Sequence, residues 1–181
     1  MIPKKQASRQ KILKAAAEIT NEVGPKRLSL DAVAARAGLS KGGLLYNFPS
    51  KSKLLEALVS GYLTEFNDSL QAQEQQFSGR PNACALAFLE VFKNRILCED
   101  SKPSGVLAAI AEDPSFIAPI RAYNSKLVER LRADATDPEL ALIAFLVVEG
   151  MRSMKLLDID VLAEGEHLAV FERLTRAMER E

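Results

Sequence analysis

The chain has 181 residues, of which 48% are hydrophobic and 27% are charged, and its formal net charge at pH 7 is zero. Such a composition can bury a core, which excludes intrinsic disorder, and the length suits one or two domains. Two cysteines and one histidine exclude a disulfide framework and a four-cysteine zinc site. The longest apolar run, 140–148, is too short to span a membrane, and no signal-peptide core is found near the first residue, so a cytoplasmic protein is expected.

The neutral sum conceals a division of charge along the chain. Residues 1–53 hold eleven basic and three acidic side chains, a net charge of +8, and residues 54–181 carry −8. A basic segment of this kind points to nucleic acid or another anionic surface, although a charge cluster can also be no more than a solvated face. A polyanionic partner is therefore expected at the N-terminal part only.

The periodicity of the apolar residues is helical throughout. Alanine and leucine, both strong helix formers, number 25 each, whereas valine, isoleucine and threonine together number 23. Neither a sustained period-2 alternation nor a hairpin turn signal is found. We predict an all-α fold of about nine helices, at about 8–23, 30–37, 41–48, 51–77, 82–98, 104–112, 115–134, 138–157 and 165–180.

The most specific feature is residues 29–48, SLDAVAARAGLSKGGLLYNF. Ser29 and Ser40 each suit the N-cap of a helix, and Gly38 between the two helices can adopt the positive φ that a tight turn requires. Ala34 lets the helices approach each other closely. A short helix, a glycine turn and a second capped helix form the helix-turn-helix plan.

The second helix of this motif is predicted to face inward through Leu44, Leu45 and Phe48. Its outward residues, which would face a DNA major groove, are Lys41, Gly42, Gly43, Tyr46 and Asn47. Lys41 can pair with phosphate or guanine, Asn47 could read adenine, and Ser40 at the helix start suits a phosphate. The paired glycines either allow the backbone to approach DNA closely or merely weaken the helix.

Residues 11–58, KILKAAAEITNEVGPKRLSLDAVAARAGLSKGGLLYNFPSKSKLLEAL, resemble the DNA-binding domain of the tetracycline-repressor (TetR) family. The resemblance implies a three-helix DNA-binding domain at 1–53, with its motif at 29–48, and an effector-binding and dimerisation domain at 54–181. It also implies phosphate contacts from Ser29 and Lys51. Leu45 stands where the family usually has tyrosine, and Tyr46 is the candidate replacement.

Further DNA contacts could come from the basic residues ahead of the motif. Lys4, Lys5 and Arg9 would form an N-terminal arm along the DNA backbone or minor groove, or else a solubilising tail. The resemblance implies that the partner is double-stranded DNA carrying a palindromic operator, which a homodimer reads. It implies no cofactor, no metal, no catalytic residue and no membrane, in a bacterial cytoplasmic protein that is nucleoid-associated when bound.

The same resemblance assigns dimerisation to the last two helices. The candidate interface residues are Leu142, Phe145, Leu146, Glu149, Leu168, Phe171, Leu174 and Met178. The helix at 138–157 is apolar nearly all round, which fits either an interface or burial inside the domain. His167, at the start of the last helix, is expected to face solvent or the dimer edge.

The same resemblance assigns an effector pocket to the middle helices. Candidate lining residues are Tyr62, Phe66, Phe88, Phe92, Phe116, Tyr123, Met151 and Met154, although an aromatic or methionine stripe at helical spacing also fits an ordinary core. Glu149 and Arg152 could pair with each other, pair across the dimer or orient a polar group of the ligand. Cys84 and Cys98 are expected to be small buried apolar side chains.

The function that these features predict is a ligand-responsive regulator, most simply a repressor released from DNA by a small, largely apolar effector whose identity is unknown. The alternative is a DNA-bound architectural or protein-interaction factor on the same scaffold without a small ligand. An enzyme is not expected, because the sequence has no nucleotide-binding loop, nucleophile–base pair or metal cluster.

Overall fold

The computed structural model describes residues 4–23, 27–97, 110 and 113–180. This part of the chain holds eight α-helices and no strand, which confirms the all-α prediction. The helices are α1 Lys4–Val23, α2 Leu30–Ala37, α3 Lys41–Asn47, α4 Lys51–Gln76, α5 Ala83–Leu97, α6 Ile117–Asp134, α7 Pro138–Leu156 and α8 Glu164–Met178, and a 3-10 turn, Pro114–Phe116, precedes α6. The helix predicted at 104–112 lies outside the described residues apart from Ile110. None of the described helices is both long and apolar enough to cross a membrane.

The chain divides into two compact units. The first unit comprises the described parts of 1–64 and 103–121, and the second unit those of 65–102 and 122–181. Helices α4 and α6 each begin in the first unit and end in the second. The functional division at residue 53 that the sequence suggests stays a prediction.

The core of the first unit forms where α1, α2, α3 and the start of α4 pack together. Its most deeply buried side chains are almost inaccessible to solvent, and they are Ile12, Ala16, Val33, Leu44, Phe48, Leu54 and Leu55. Because every one of these helices contributes to a single apolar cluster, the rotation of the short helix α3 about its own axis is set by packing.

In the second unit, α5 is the central helix. Six consecutive residues, 84–89, are buried, so the N-terminal half of this helix is covered on all sides. It packs against α7 and α8. From α7 come Ala144 and Val148, both fully buried, and from α8 comes Phe171. One face of α7 is therefore buried in the core of this unit.

Buried polar contacts tie the loops at one end of the second unit. Asn82 has a positive φ of 60° and is almost fully buried. Its Oδ1 accepts from the Thr136 N–H at 2.9 Å, and its Nδ2 donates to the Met178 carbonyl at 2.8 Å. Asp134 Oδ2 accepts from the Cys84 N–H at 2.7 Å. These contacts join the start of α5 to the α6–α7 connection and to the end of α8.

Cys84 is a buried apolar side chain, as expected. Desolvation by burial, followed by the hydrogen bond with Glu74, raises the pKa of its thiol to about 12. The thiol therefore stays protonated at neutral pH, where only the thiolate would react. Cys98 lies outside the described residues.

Candidate nucleic-acid interface

The turn between α2 and α3 has the geometry that its residue types predict. Ser29 Oγ accepts the Ala32 N–H at 3.2 Å and Ser40 Oγ accepts the Gly43 N–H at 3.1 Å, so both serines are N-caps. Gly38 lies in the left-handed region with φ of 67° and ends α2. The helix-turn-helix is thus built by its local capping chemistry.

The inward face of α3 is formed by Leu44 and Phe48, which are 0% and 1% exposed. Arg9 of α1 places its guanidinium over the Phe48 ring, 4.4 Å from the centroid, so this basic residue helps to hold the helix. Leu45 is 36% exposed, and the prediction that it faces inward is wrong. Successive helical residues turn by about 100°, so Leu45 cannot share the inward face when Leu44 and Phe48 define it.

Tyr46, on the outward face, is 74% exposed. Lys41 and Gly42 are also exposed, and a Cβ added to Gly42 would meet nothing within 4 Å. Gly43 is half-buried, and a Cβ there would lie 3.3 Å from Ser40 Oγ. The face that α3 offers to a groove therefore carries an aromatic ring, a lysine and a stretch of backbone without a side chain at Gly42, and the exposed Leu45 borders it.

Asn47 lies at the edge of this face. It is half-buried, and its Nδ2 donates to the Gly43 carbonyl at 2.9 Å. Reading adenine requires the amide group to donate and accept toward the base. In the free protein the amide is turned back onto its own helix, so a base contact would need a different rotamer.

The candidate phosphate contacts lie at helix starts. The hydroxyls of Ser29 and Ser40 each accept a backbone N–H, and a hydroxyl that accepts can still donate its own hydrogen. Lys51, the first residue of α4, is half-buried. The side chains of Lys4 and Lys5 lie outside the part of the chain that the structure describes.

All three acidic side chains of residues 1–53 are ion-paired. Glu18 and Glu22 pair with Arg36, whose Nη2 is 2.7 Å from Glu22 Oε2, and Asp31 Oδ1 is 3.0 Å from Lys41 Nζ. The hydrogen bond from Arg36, the largest influence, holds the pKa of Glu22 below its ordinary value, and the same bond raises the pKa of Arg36. Arg36 thus joins α2 to α1, whereas Asp31 and Lys41 join α2 to α3.

Four of the candidate pocket residues form an aromatic cluster in the second unit. The ring centroid of Phe66 lies 6.4 Å from that of Phe88, 5.2 Å from that of Phe92 and 5.7 Å from that of Tyr123. Met151 and Met154 belong to the same apolar core. Phe116 is buried in the core of the first unit, and Tyr62 is half-buried on the first-unit part of α4.

The candidate interface residues divide by exposure. Phe171, Leu174 and Met178 are buried in the protomer's own core, and Leu142, Phe145, Glu149 and Leu168 are half-buried. Leu146 is 66% exposed, and Ile143, which sequence reasoning missed, is 50% exposed. The signal for Ile143 is its position three residues before Leu146, on the same helical face. The apolar surface that α7 presents to solvent therefore centres on Ile143 and Leu146.

Two further polar groups of the second unit are paired locally. Arg152 hydrogen bonds to Glu149, one turn away on α7. His167 is 2% exposed with its Nε2 2.9 Å from Asp160 Oδ2, so the expectation of a solvent-facing or dimer-edge histidine is wrong. Although desolvation opposes ionisation, the Leu162 N–H and the imidazole lower the pKa of Asp160. Within the described residues, no group of three or more histidine, cysteine or acidic side chains could hold a metal ion.

Several solved structures share the fold. The crystal structure of the multidrug binding protein EbrR complexed with ethidium is 25% identical, with a TM-score of 0.64, over 96% of this chain and 99% of that one. A TetR transcription regulator from Haloarcula marismortui superposes with a TM-score of 0.76 at 17% identity, over 95% and 98%. A TetR family member from Streptomyces coelicolor gives 0.71 at 24% identity, over 95% and 98%. No curated protein matches by sequence.

Two family models match the chain. Residues 12–58 match the bacterial regulatory proteins of the tetR family, and residues 82–179 match the tetracyclin repressor-like C-terminal domain. The first match contains the helix-turn-helix, and the second contains α5 to α8. Members of this family are DNA-binding transcription factors, not enzymes. The chain therefore belongs to the TetR family and is a transcriptional regulator.

Proposed function

We propose that the chain is a repressor that binds a palindromic operator as a homodimer and leaves it when a small, largely apolar effector binds. The observation that carries this proposal is the outward face of α3. Leu44 and Phe48 hold the helix from inside, and Lys41, Gly42 and Tyr46 remain exposed. A locked helix with a bare, cationic outer face is suited to a major groove.

The charge distribution supports DNA as the partner of residues 1–53. The net charge of +8 attracts a polyanion, and the −8 of residues 54–181 discourages the rest of the surface from lying on it. Ser29, Ser40 and Lys51 are the proposed phosphate contacts, and Lys41, Gly42, Gly43, Tyr46 and Asn47 the proposed groove residues. Each phosphate neutralised would steepen the salt dependence of log K by about 0.9.

A homodimer is proposed through α7 and α8, since regulators of this family typically dimerise. Ile143 and Leu146 leave large apolar side chains in solvent, and Gly150, one turn beyond Leu146, would allow a partner helix to approach. Of the residues that resemblance assigned to this interface, Leu146 has the most surface to contribute. Phe171, Leu174 and Met178 would support it from within the protomer.

The effector is proposed to enter the aromatic cluster of Phe66, Phe88, Phe92 and Tyr123. Aromatic walls with a few polar groups are typical of small-molecule sites, and the half-buried pair of Glu149 and Arg152 on α7 would orient a polar group of the ligand. The multidrug binding protein EbrR, a structural neighbour, was crystallised with ethidium. Residues 54–181 would accordingly be the effector-binding and dimerisation part of a cytoplasmic regulator.

Helix α4 is the proposed connection between effector and operator. It runs without interruption from Lys51, a proposed phosphate contact, to Gln76, and Phe66 of the aromatic cluster lies on it. A tilt of this helix would change the separation of two recognition helices in a dimer. Each specific base pair lost costs about 1–3 kcal/mol, so a small misfit would release the operator.

Selection of bound duplexes from a random pool, followed by sequencing, tests the proposal. A two-fold symmetric consensus with half-sites about 10 base pairs apart, centre to centre, is the expected result. A thermal-shift screen of aromatic and apolar compounds then seeks a ligand that also weakens operator binding. Bound duplexes without any consensus would contradict operator recognition. A sequence-specific dimer that no compound stabilises would instead support the ligand-free alternative.

A further inference from the structure

An exposed aliphatic side chain lies on the recognition helix. Among the described residues of 27–58, the exposed large hydrophobic side chains are Leu45, at 36%, and its neighbour Tyr46. Gly42 and Lys41 precede Leu45 by three and four residues, so all three border the same strip of the α3 surface. An aliphatic group thus lies within the surface proposed to enter the groove.

The glycine one turn before Leu45 has no explanation inside the protein. A Cβ on Gly42 would meet nothing within 4 Å, and Gly42 is not among the glycines with positive φ. A glycine within a helix is nevertheless about 1 kcal/mol less favourable than alanine. The missing side chain therefore leaves room for something outside the chain to approach the backbone here, and such an approach would bring Leu45 to the same surface.

The chemistry of leucine selects what it can contact there. Its side chain has neither donor nor acceptor, so it can make no hydrogen bond to phosphate or to a base. Among the base edges of the major groove, the apolar group is the 5-methyl of thymine. We propose that Leu45 is a specificity-determining residue that contacts the 5-methyl group of one thymine in each half-site. The proposal rests on the operator binding proposed above and adds a reader of thymine to it.

Deoxyuridine supplies a direct test, because it removes the methyl group and leaves every hydrogen-bonding group of thymine. A duplex selected by the wild-type protein is synthesised with each thymine of a half-site replaced in turn, and binding is measured by fluorescence anisotropy. The wild-type protein is expected to lose about fourfold in affinity at one position, the change that corresponds to one buried methyl group. Leu45→Ala and Leu45→Gln are expected to bind the two duplexes equally, and Leu45→Met to keep the preference.

Ile117 offers a matched control. It is 38% exposed, close to the value for Leu45, belongs to the same unit and begins α6 rather than lying on the recognition helix. Ile117→Ala removes a comparable aliphatic surface and is expected to keep the preference for thymine over deoxyuridine. Melting temperatures of all variants show whether each is folded, and Leu45→Gln, which replaces the aliphatic end of the side chain with a polar amide, is the second test of the same contact.

Three results would overturn the proposal and leave operator binding intact. In the first, deoxyuridine at any thymine leaves the affinity of the wild-type protein unchanged. In the second, Leu45→Ala or Leu45→Gln keeps the full fourfold preference for thymine. In the third, the selected half-site contains no thymine. The proposed function fails by a different result, since a wild-type protein that selects no sequence from the pool has no operator. The two failures are therefore separable in one series of measurements.

Discussion

The outward face of α3 and the solvent face of α7 are built alike and are suited to different partners. Each carries a glycine at which an added Cβ would meet nothing within 4 Å, Gly42 in one and Gly150 in the other. Around Gly42 stand a lysine and a tyrosine in a segment of net charge +8, whereas Ile143 and Leu146 precede Gly150 in a segment of −8. Bare backbone at each glycine therefore permits close approach, and the surrounding side chains determine what approaches.

The largest expected effect concerns α7. Leu146→Asp would place a carboxylate in the proposed dimer interface, where it would be buried without a partner, and we expect a monomer. Operator affinity should fall at least a hundredfold, because one recognition helix would then bind alone. Sedimentation equilibrium and anisotropy measure the two effects. As a control, Gln71→Asp makes the same charge change at an exposed position of α4, and this variant should remain dimeric. If Leu146→Asp were also dimeric, α7 would not be part of the interface.

On α3, Tyr46→Ala is expected to weaken specific binding by about 1–3 kcal/mol, or roughly fivefold to 150-fold, if the ring contacts bases. Binding to a scrambled duplex should change little, because non-specific affinity comes mainly from phosphate contacts. Anisotropy titrations with both duplexes give the ratio. Tyr46→Phe separates ring from hydroxyl, and an equal loss on both duplexes would make Tyr46 a phosphate contact.

The two glycines allow a paired prediction. Gly42→Ala and Gly150→Ala should each leave the protomer as stable as before or stabilise it by up to about 1 kcal/mol, because the added methyl meets open space and alanine favours helix. Gly42→Ala should weaken DNA binding and leave the dimer unchanged, and Gly150→Ala should do the reverse. Denaturant titration, sedimentation and anisotropy measure the three quantities. If either variant affected neither partner, its face would not be a contact surface.

The smallest effect is expected at the ion pair between α2 and α3. Asp31→Asn removes the carboxylate beside Lys41 Nζ and leaves the lysine available to a phosphate. We expect a few-fold higher affinity for scrambled DNA and a salt slope steeper by about 0.9. Glu22→Gln removes a carboxylate that pairs with Arg36 on the α1 side, and it should leave the slope unchanged. A common response of both variants would indicate a general charge effect.

Much of the fold could be predicted because the signals are local. Ser29, Gly38 and Ser40 fix the ends of α2 and α3 through hydrogen bonds and backbone angles that involve only near neighbours. The apolar spacing of α4 and α8 likewise needs no knowledge of the partner helix. For this reason the helix-turn-helix and the all-α class were predictable, and so was the family, whose pattern consists of these residues.

The incorrect and incomplete assignments share one cause. Whether Leu45, His167 and Phe171 are buried depends on which side of each helix faces its neighbours. Sequence spacing leaves the rotation of a helix about its axis open by about one residue, or 100°. Leu45 lies outside because Leu44 and Phe48 fill the core of the first unit, and His167 is buried because it shares the inner face of α8 with Phe171. Ile143 is exposed for the same kind of reason, because the packing of α7 against α5 decides which side of α7 faces solvent.

The sequence by itself determined the helices, their caps, the charge division and the regulatory family, because these depend on residue type and on contacts within a few positions. The tertiary structure decided which side chains remain for partners. Packing of α7 and α8 against α5 buries Phe171 and exposes Ile143 and Leu146, and packing of α3 against α1 and α2 exposes Leu45 and Tyr46. The physical reason is that an apolar side chain can stabilise its own core or an interface, and only the neighbouring helices determine which.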